Sequence, residues 1–162
     1  RRGVLASKGK QVLVSDADLS TPIEEYLKLK KYLKNYSVVI GSRDLKDSNI
    51  VVKQPVYRKF LGRSFNLLVS LFALRGIKDT QCGFKLFTAE AAKNIFSKAK
   101  IDGFSYDIEA LMLAKKYGYK IKEVGIIWEN DADSKVDPVK DSIRMLSDIP
   151  IIKLNDIRGY YE

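Results

Sequence analysis

"QVLVSDADLSTP", residues 11–22, decides how the rest of the chain is read. Val12-Leu13-Val14 is an apolar run too short for a helix and suited to a buried strand. It ends at once in two aspartates, Asp16 and Asp18, one residue apart. Side chains two apart in extended backbone point the same way. Two carboxylates aimed at one point repel each other unless a cation sits between them. Thr21-Pro22-Ile23-Glu24 then supplies a helix start: an N-cap, a proline at the first helical position and a glutamate three residues after the cap. Strand, acidic turn and helix in that order suit an open α/β sheet, where ligands bind beyond the carboxyl ends of the strands. The plainer alternative is that Asp-x-Asp only caps the turn in solvent, and the pattern by itself leaves both open.

Working outward, a helix is expected over 22–35, with Leu27, Leu29, Tyr32 and Leu33 available to a core. "SVVIGSR" at 37–43 reads as a second buried strand, and 44–54 as a loop. A long helix is expected over 55–75, a short strand in "GFKLF" at 83–87, and a Thr88-capped helix over 89–98. Asp107 opens a further helix that Gly118 closes. "KIKEVGIIW" at 120–128 is a strand, and Asp137-Pro138 starts the last helix. Strands alternating with helices give the class: α/β, with a mainly parallel sheet flanked by helices. With 162 residues, 46% of them apolar, and no repeat or linker, one domain is expected.

Composition narrows the chemistry. There are 29 basic and 20 acidic residues, a net charge of +9, which suggests an anionic partner. The basic residues are scattered, and no helix-turn-helix, zinc-ligand or RRM pattern accompanies them, so nucleic acid is not the expected partner. The chain has no histidine, which removes the commonest general base and transition-metal ligand. Catalysis must then rest on carboxylates, Lys, Arg, Tyr or backbone groups. A metal would be a hard, oxygen-bound cation, Mg²⁺ or Mn²⁺. The single cysteine, Cys82, allows no disulfide within the chain. The opening "RRGVLASKGK" carries no secretory signal and reads as the tail of a helix that Gly9 ends, so an N-terminal truncation is expected. No stretch approaches the roughly 18–20 apolar residues needed to span a bilayer.

Several stretches follow "DAD" in fixed order: "GSR" at 41–43, "DTQCGFKLFTAEAA" at 79–92, "SYDIEALMLAKKYGYKIKEVGIIW" at 105–128 and "DSKVDP" at 133–138. Together they resemble the family 2 glycosyltransferases that load a sugar onto a polyprenyl phosphate, first the dolichyl-phosphate glucosyltransferases and next the dolichyl-phosphate mannose synthases. The resemblance implies a GT-A-like (Rossmann-like) fold, of which this chain would be the C-terminal portion. It implies Mg²⁺ or Mn²⁺ held by Asp16 and Asp18 with the donor diphosphate, and a nucleotide sugar of the UDP-glucose or GDP-mannose class. It implies inverting transfer of a hexose, glucose first, to a lipid phosphate at the cytoplasmic face of a membrane, with the chain peripheral there. Arg43 matches the family's Gly-Ser-Arg. Asp79, Gln81 and Gly83 match its sugar and acceptor region, with Asp79 a catalytic candidate. Asp107 and Glu109 match its Asp-x-Glu segment and are the other catalytic candidates, although Asp107 also suits a helix N-cap. Ser134 and Lys135 match a phosphate-gripping Ser-Lys, preceded here by Asp133 where relatives usually carry Gly.

Other readings stand beside this one. "DADLST" also resembles the start of haloacid-dehalogenase-type phosphatases, with Asp16 as nucleophile and Asp18 as general acid. The late acidic loop "ENDADSKVDP" lacks that family's glycine pattern. A non-catalytic basic module that binds anions is the third reading. The segment "PVYRKFLGRSFNLLVSLFALRG", 55–76, places Arg58, Lys59, Arg63 and Arg75 around Phe60, Leu61, Phe65, Leu68, Leu71 and Phe72. That pattern suits either a core helix with a basic edge or a helix lying on a membrane surface. In the second case Phe60, Phe65, Leu68 or Phe72 would enter the lipid boundary, and Arg58 and Arg63 are candidates for the acceptor phosphate. If an early strand is missing, the open sheet edge would favour self-association into a homo-oligomer.

Overall fold

The computed structural model describes residues 1–52, 62, 64–70, 73–129 and 138–162. The expected sites Arg58, Arg63, Ser134 and Lys135, with Lys59, Phe60, Leu61, Leu71 and Phe72, lie outside the described residues.

A short helix, α1 (Arg2–Ala6), precedes β1 (Gln11–Ser15). Lys93 closes its carboxyl end, its ammonium donating to the carbonyls of Val4, Leu5 and Ser7. After β1 come a 3₁₀ turn (Ile23–Glu25), α2 (Tyr26–Lys30), β2 (Val38–Ser42) and β3 (Asn49–Ile50). Residues 64–70 are helical and are called α3. Then follow β4 (Phe84–Thr88), α4 (Ala89–Lys98), α5 (Tyr106–Lys116), β5 (Ile121–Gly125), β6 (Ile127–Trp128) and α6 (Pro138–Ile157).

The start of the segment after β1 differs from the expectation. No side chain caps it, and the expected long helix over 22–35 is the 3₁₀ turn plus five residues of α2. Leu29 is fully buried, whereas Leu27 and Tyr32 face solvent. Other local signals hold. The Thr88 hydroxyl accepts from the Ala91 amide. Gly118, at φ +74°, ends α5 in a left-handed residue. There Gly118 N donates to Lys115 O and Tyr119 N to Ala114 O, the paired bonds that satisfy a helix's last carbonyls.

The main sheet has the order β1-β4-β2-β5. It is mixed where a mainly parallel sheet was expected: β4 is antiparallel to β1 and β2, and only β2 and β5 are parallel. The reason lies in the connection. Phe84 pairs with Ser15, so the chain re-enters the sheet at the end where β1 leaves it and must run backwards between β1 and β2. The same geometry delivers residues 79–83 to the carboxyl ends of β1 and β2. A two-stranded sheet, β3 with β6, lies apart in pairing.

Each face of the main sheet buries an apolar cluster. On one, Val12, Val38, Ile40 and Phe87 meet α4, α5, Phe65 and Val69 of α3, and Met145, Ile149 and Ile152 of α6. Phe87 and Phe96 meet edge to face with centroids 5.6 Å apart. On the other, Val39, Phe84 and Leu86 pack with Leu29, Val124 and Ile126. Each fully buried side chain of this size contributes roughly 1.5–3 kcal/mol. Phe65, expected as a membrane anchor, belongs to this core instead: it is 3% exposed, because the 64–70 helix turns its aromatic side inward against the sheet.

Candidate active site

The carboxyl end of the sheet gathers four acids and two cations. Asp16 follows β1, and its amide donates to Gly83 O at 2.9 Å. Its carboxylate fills the space a side chain at position 83 would take: a Cβ built on Gly83 would lie 1.8 Å from Asp16 Oδ2. Only glycine permits this approach. Asp18 is exposed, and its Oδ1 accepts the Ser20 amide at 3.0 Å, so the turn-capping role is real. Between them Leu19 sits at φ +53°, a left-handed residue that costs on the order of 1 kcal/mol outside glycine. Burial, and after it the charge of Asp18, push the Asp16 carboxyl above its ordinary value, against the opposing charges of Lys85 and Arg43. Two oxygen-donor side chains that repel each other fit a hard divalent cation. Among the described residues no group of three such side chains is assembled to hold a metal alone. The pair therefore fits a cation that completes its shell with water and phosphate oxygens.

Asp79 and Arg43 form a saturated pair. The fully buried Asp79 accepts from Arg43 Nε at 2.7 Å, Nη2 at 2.8 Å and the Arg43 amide at 2.9 Å. Burial alone would raise this carboxyl; the Arg43 charge and its hydrogen bonds overcome that and hold it below the ordinary value. Glu123 of β5 accepts the amides of Lys78 and Asp79 and so fixes the turn that presents Asp79. The Arg43 guanidinium also lies over Trp128, 5.5 Å from the ring centroid. Trp128 lines a shallow open hollow with Asp16, Asp18, Ser20, Thr21 and Gly83. The Glu129 amide donates to Ser20 O at 2.8 Å and holds the end of β6 against the acidic turn.

Asp107 does not serve as an N-cap. Ser105 holds that position, and Asp107 lies inside α5, its Oδ1 2.6 Å from the ammonium of the buried Lys85. Lys85 also donates to Cys82 O at 2.6 Å. Tyr106 is in the same group; burial and the neighbouring Asp107 and Asp16 charges raise its hydroxyl. Glu109, expected with Asp107 as a catalytic candidate, is completely buried elsewhere on α5. Its oxygens accept the Lys100 and Ile101 amides and the Tyr161 hydroxyl, which ties the chain's last residues to the core. Gln81 is half-buried and its Nε2 points to Met145 Sδ at 3.1 Å, a packing contact with α6. Burial, with the Asp79 charge behind it, pushes the Cys82 thiol up to about 12.

Asp16, Asp18, Gly83, Asp79, Arg43 and Asp107 thus share one end of the sheet, while Glu109 is hydrogen-bonded elsewhere on α5 and Gln81 contacts Met145 of α6. Sequence reasoning missed Lys85, Tyr106 and Trp128. Lys85 was the legible one: a lone lysine within "GFKLF", in a strand flanked by strands on both sides, must be paired if it is buried.

No family model matches the chain. It is 39% identical over 168 residues to the dolichyl-phosphate beta-glucosyltransferase of Dictyostelium discoideum, a match covering 100% of this chain and 51% of the relative. It is 32% identical to the Homo sapiens enzyme of that name, over 98% of this chain and 51% of the relative. The Saccharomyces cerevisiae enzyme is 34% identical, over 99% of this chain and 52% of its own length. The chain therefore spans about half the length of the curated relatives it matches. Among solved structures, glucosyl-3-phosphoglycerate synthase from Mycobacterium tuberculosis, in complex with uridine diphosphate, superposes with a TM-score of 0.64 at 15% identity, covering 93% of this chain and 52% of that one. This likeness identifies the fold as that of GT-A glycosyltransferases. Along its whole length, the chain is a homologue of the dolichyl-phosphate beta-glucosyltransferases.

Proposed function

We propose that the protein to which this chain belongs transfers a hexose, glucose first, from a nucleoside diphosphate sugar to a polyprenyl phosphate of the dolichyl type. The observation that carries this is the whole-length likeness to enzymes of that name. The lipid phosphate oxygen attacks the anomeric carbon from the face opposite the leaving group, the carbon–oxygen bond to the nucleoside diphosphate breaks, and the configuration inverts. A phosphate is already ionised near neutral pH, so the absence of histidine is no obstacle; the larger demand is to stabilise charge on the departing diphosphate. When bound, Mg²⁺ or Mn²⁺ would supply that neutralisation, with Asp16 and Asp18 as its protein ligands. Gly83 leaves room for the Asp16 carboxylate. Asp79 keeps the Arg43 guanidinium beside Trp128 at the rim of the hollow. Ser134, Lys135, Arg58 and Arg63 remain candidates for phosphate contacts on the strength of the resemblance.

The acceptor implies a membrane surface, and we assign the cytoplasmic face to it. No helix among the described residues is long and apolar enough to cross a membrane. With Phe65 in the core, the apolar side chains left exposed include Leu67 and Leu68 of α3 and Ile143, Ile151, Leu154 and Ile157 of α6, the latter among the exposed Arg144, Lys153 and Arg158. Exposed apolar side chains among cations suit an anionic bilayer surface.

The test is transfer by the full-length protein from UDP-glucose and from GDP-mannose to a short-chain dolichyl phosphate, with Mn²⁺ and with a chelator. The expected product is β-glucosyl lipid phosphate from UDP-glucose, formed only with metal. Transfer from GDP-mannose alone would overturn the sugar, and hydrolysis without lipid product would overturn the acceptor.

A further inference from the structure

Lys85 is the feature the proposed chemistry does not account for. Its strand is central, and its register partners are Val14 on β1 and Ile40 on β2, so its side chain rises from the middle of the sheet. It is 1% exposed, and a lysine is fully buried only when its charge is satisfied. One partner is Asp107, at 2.6 Å. The other is the Cys82 carbonyl, at 2.6 Å, immediately before Gly83. Gly83 in turn accepts the Asp16 amide and lies against the Asp16 carboxylate. A continuous set of contacts therefore runs from α5 through the ammonium to the turn on which Asp16 rests.

We propose that Lys85 is a positioning residue: anchored on Asp107, it fixes the Cys82–Gly83 turn and thereby aims the Asp16 carboxylate at the bound cation. The inference rests on the reading of Asp16 and Asp18 as the metal pair. Lys85 touches no reactant. Its charge, taken alone, would oppose a cation, so its use must be geometric. Removing both members of the Lys85–Asp107 pair strands no buried charge while releasing the turn.

That separation gives the test. Mn²⁺ with UDP is titrated into the full-length protein by calorimetry, for the parent, Lys85→Met, the double variant Lys85→Met/Asp107→Leu, and Asp16→Asn, with thermal unfolding measured alongside. Lys85→Met strands the buried Asp107 carboxylate and lowers the thermal midpoint; the double variant, in which two apolar side chains replace the pair, recovers it. The proposal expects the double variant to bind Mn²⁺–UDP about 10- to 100-fold more weakly than the parent despite that recovery, the loss typical when support behind a metal ligand is removed. Its binding of UDP in chelator should match the parent's. If the double variant regains both stability and Mn²⁺-dependent affinity, Lys85 serves the fold alone and the proposal is overturned. Parent-like Mn²⁺-dependent binding by Asp16→Asn would instead remove the metal reading, and with it the cation that the positioning serves.

Discussion

Two sets of acids in this molecule are treated in opposite ways. Asp79, Glu109 and Glu123 each accept three hydrogen bonds from protein donors. Asp18 accepts one, from the Ser20 amide, and among the described residues none is donated to the Asp16 carboxylate. The saturated acids have their charge dispersed by the fold and hold it together: Asp79 to Arg43, Glu109 to the chain's last residues, Glu123 to the turn at 78–79. The acidic turn has its charge concentrated: burial, and after it the charge of Asp18, raise the Asp16 carboxyl. A carboxylate saturated by protein donors is architecture, and a repelling pair at a strand end has capacity left for a ligand.

The contrast predicts opposite signs for the same kind of substitution. Asp79→Asn should have the largest effect on stability, a loss of about 3 kcal/mol, because it breaks a buried pair and leaves a guanidinium without its counter-charge. Denaturant unfolding measures it; a loss indistinguishable from zero would mean that Arg43 does not need Asp79. Glu109→Gln comes next, at about 1–3 kcal/mol, since one oxygen becomes a donor facing backbone amides. Its Mn²⁺-dependent binding of UDP should stay near that of the parent, and a selective loss of that binding would return Glu109 to the site.

Acid titration sharpens the comparison. The Asp79 carboxyl lies below its ordinary value of 3.8 in the fold, so its ionisation favours folding. That benefit is complete above 3.8 and is lost as pH falls through the lowered folded value. The parent and Asp79→Asn should therefore converge in stability as the solution is acidified below this range. Asp16 behaves inversely: its carboxyl is raised, so ionisation opposes folding, and the cost is absent below 3.8 and complete above the raised folded value. In chelator near neutral pH, Asp16→Asn should melt slightly higher than the parent, and the advantage should vanish in acid. A lower midpoint near neutral pH would show that the Asp16 charge is already compensated within the protein.

Much of this was legible in the sequence, because local rules carry it. The strand ending in Asp16, the Thr88 cap, the Gly118 stop and the helix over 89–98 follow from spacing and residue type. The mixed sheet was not legible, because strand direction depends on where residues 43–83 bring the chain back, and no local pattern states that. Phe65 misled for a related reason. A helix with apolar and basic sides reads the same whether its apolar side meets lipid or a sheet, and only the fold supplies the sheet. Asp107 and Glu109 looked like one motif two residues apart. Successive positions on a helix diverge by about 100°, so on α5 one turns to Lys85 and the other to Tyr161. Lys85 escaped notice because a lone lysine in a short strand reads as solvent-facing although it shares a face with Phe87, and only the fold shows that α5 covers that face and brings its own counter-charge.

The most direct test of the account is a calorimetric titration of UDP into the full-length protein, with Mn²⁺ and with chelator, comparing the parent with Asp18→Ala. If Asp16 and Asp18 hold the cation, the parent binds UDP far more tightly with Mn²⁺ than without, and Asp18→Ala loses that difference while remaining folded. Metal-dependent binding that is the same in Asp18→Ala as in the parent would contradict the account, and would leave the acidic turn as a capped loop in solvent.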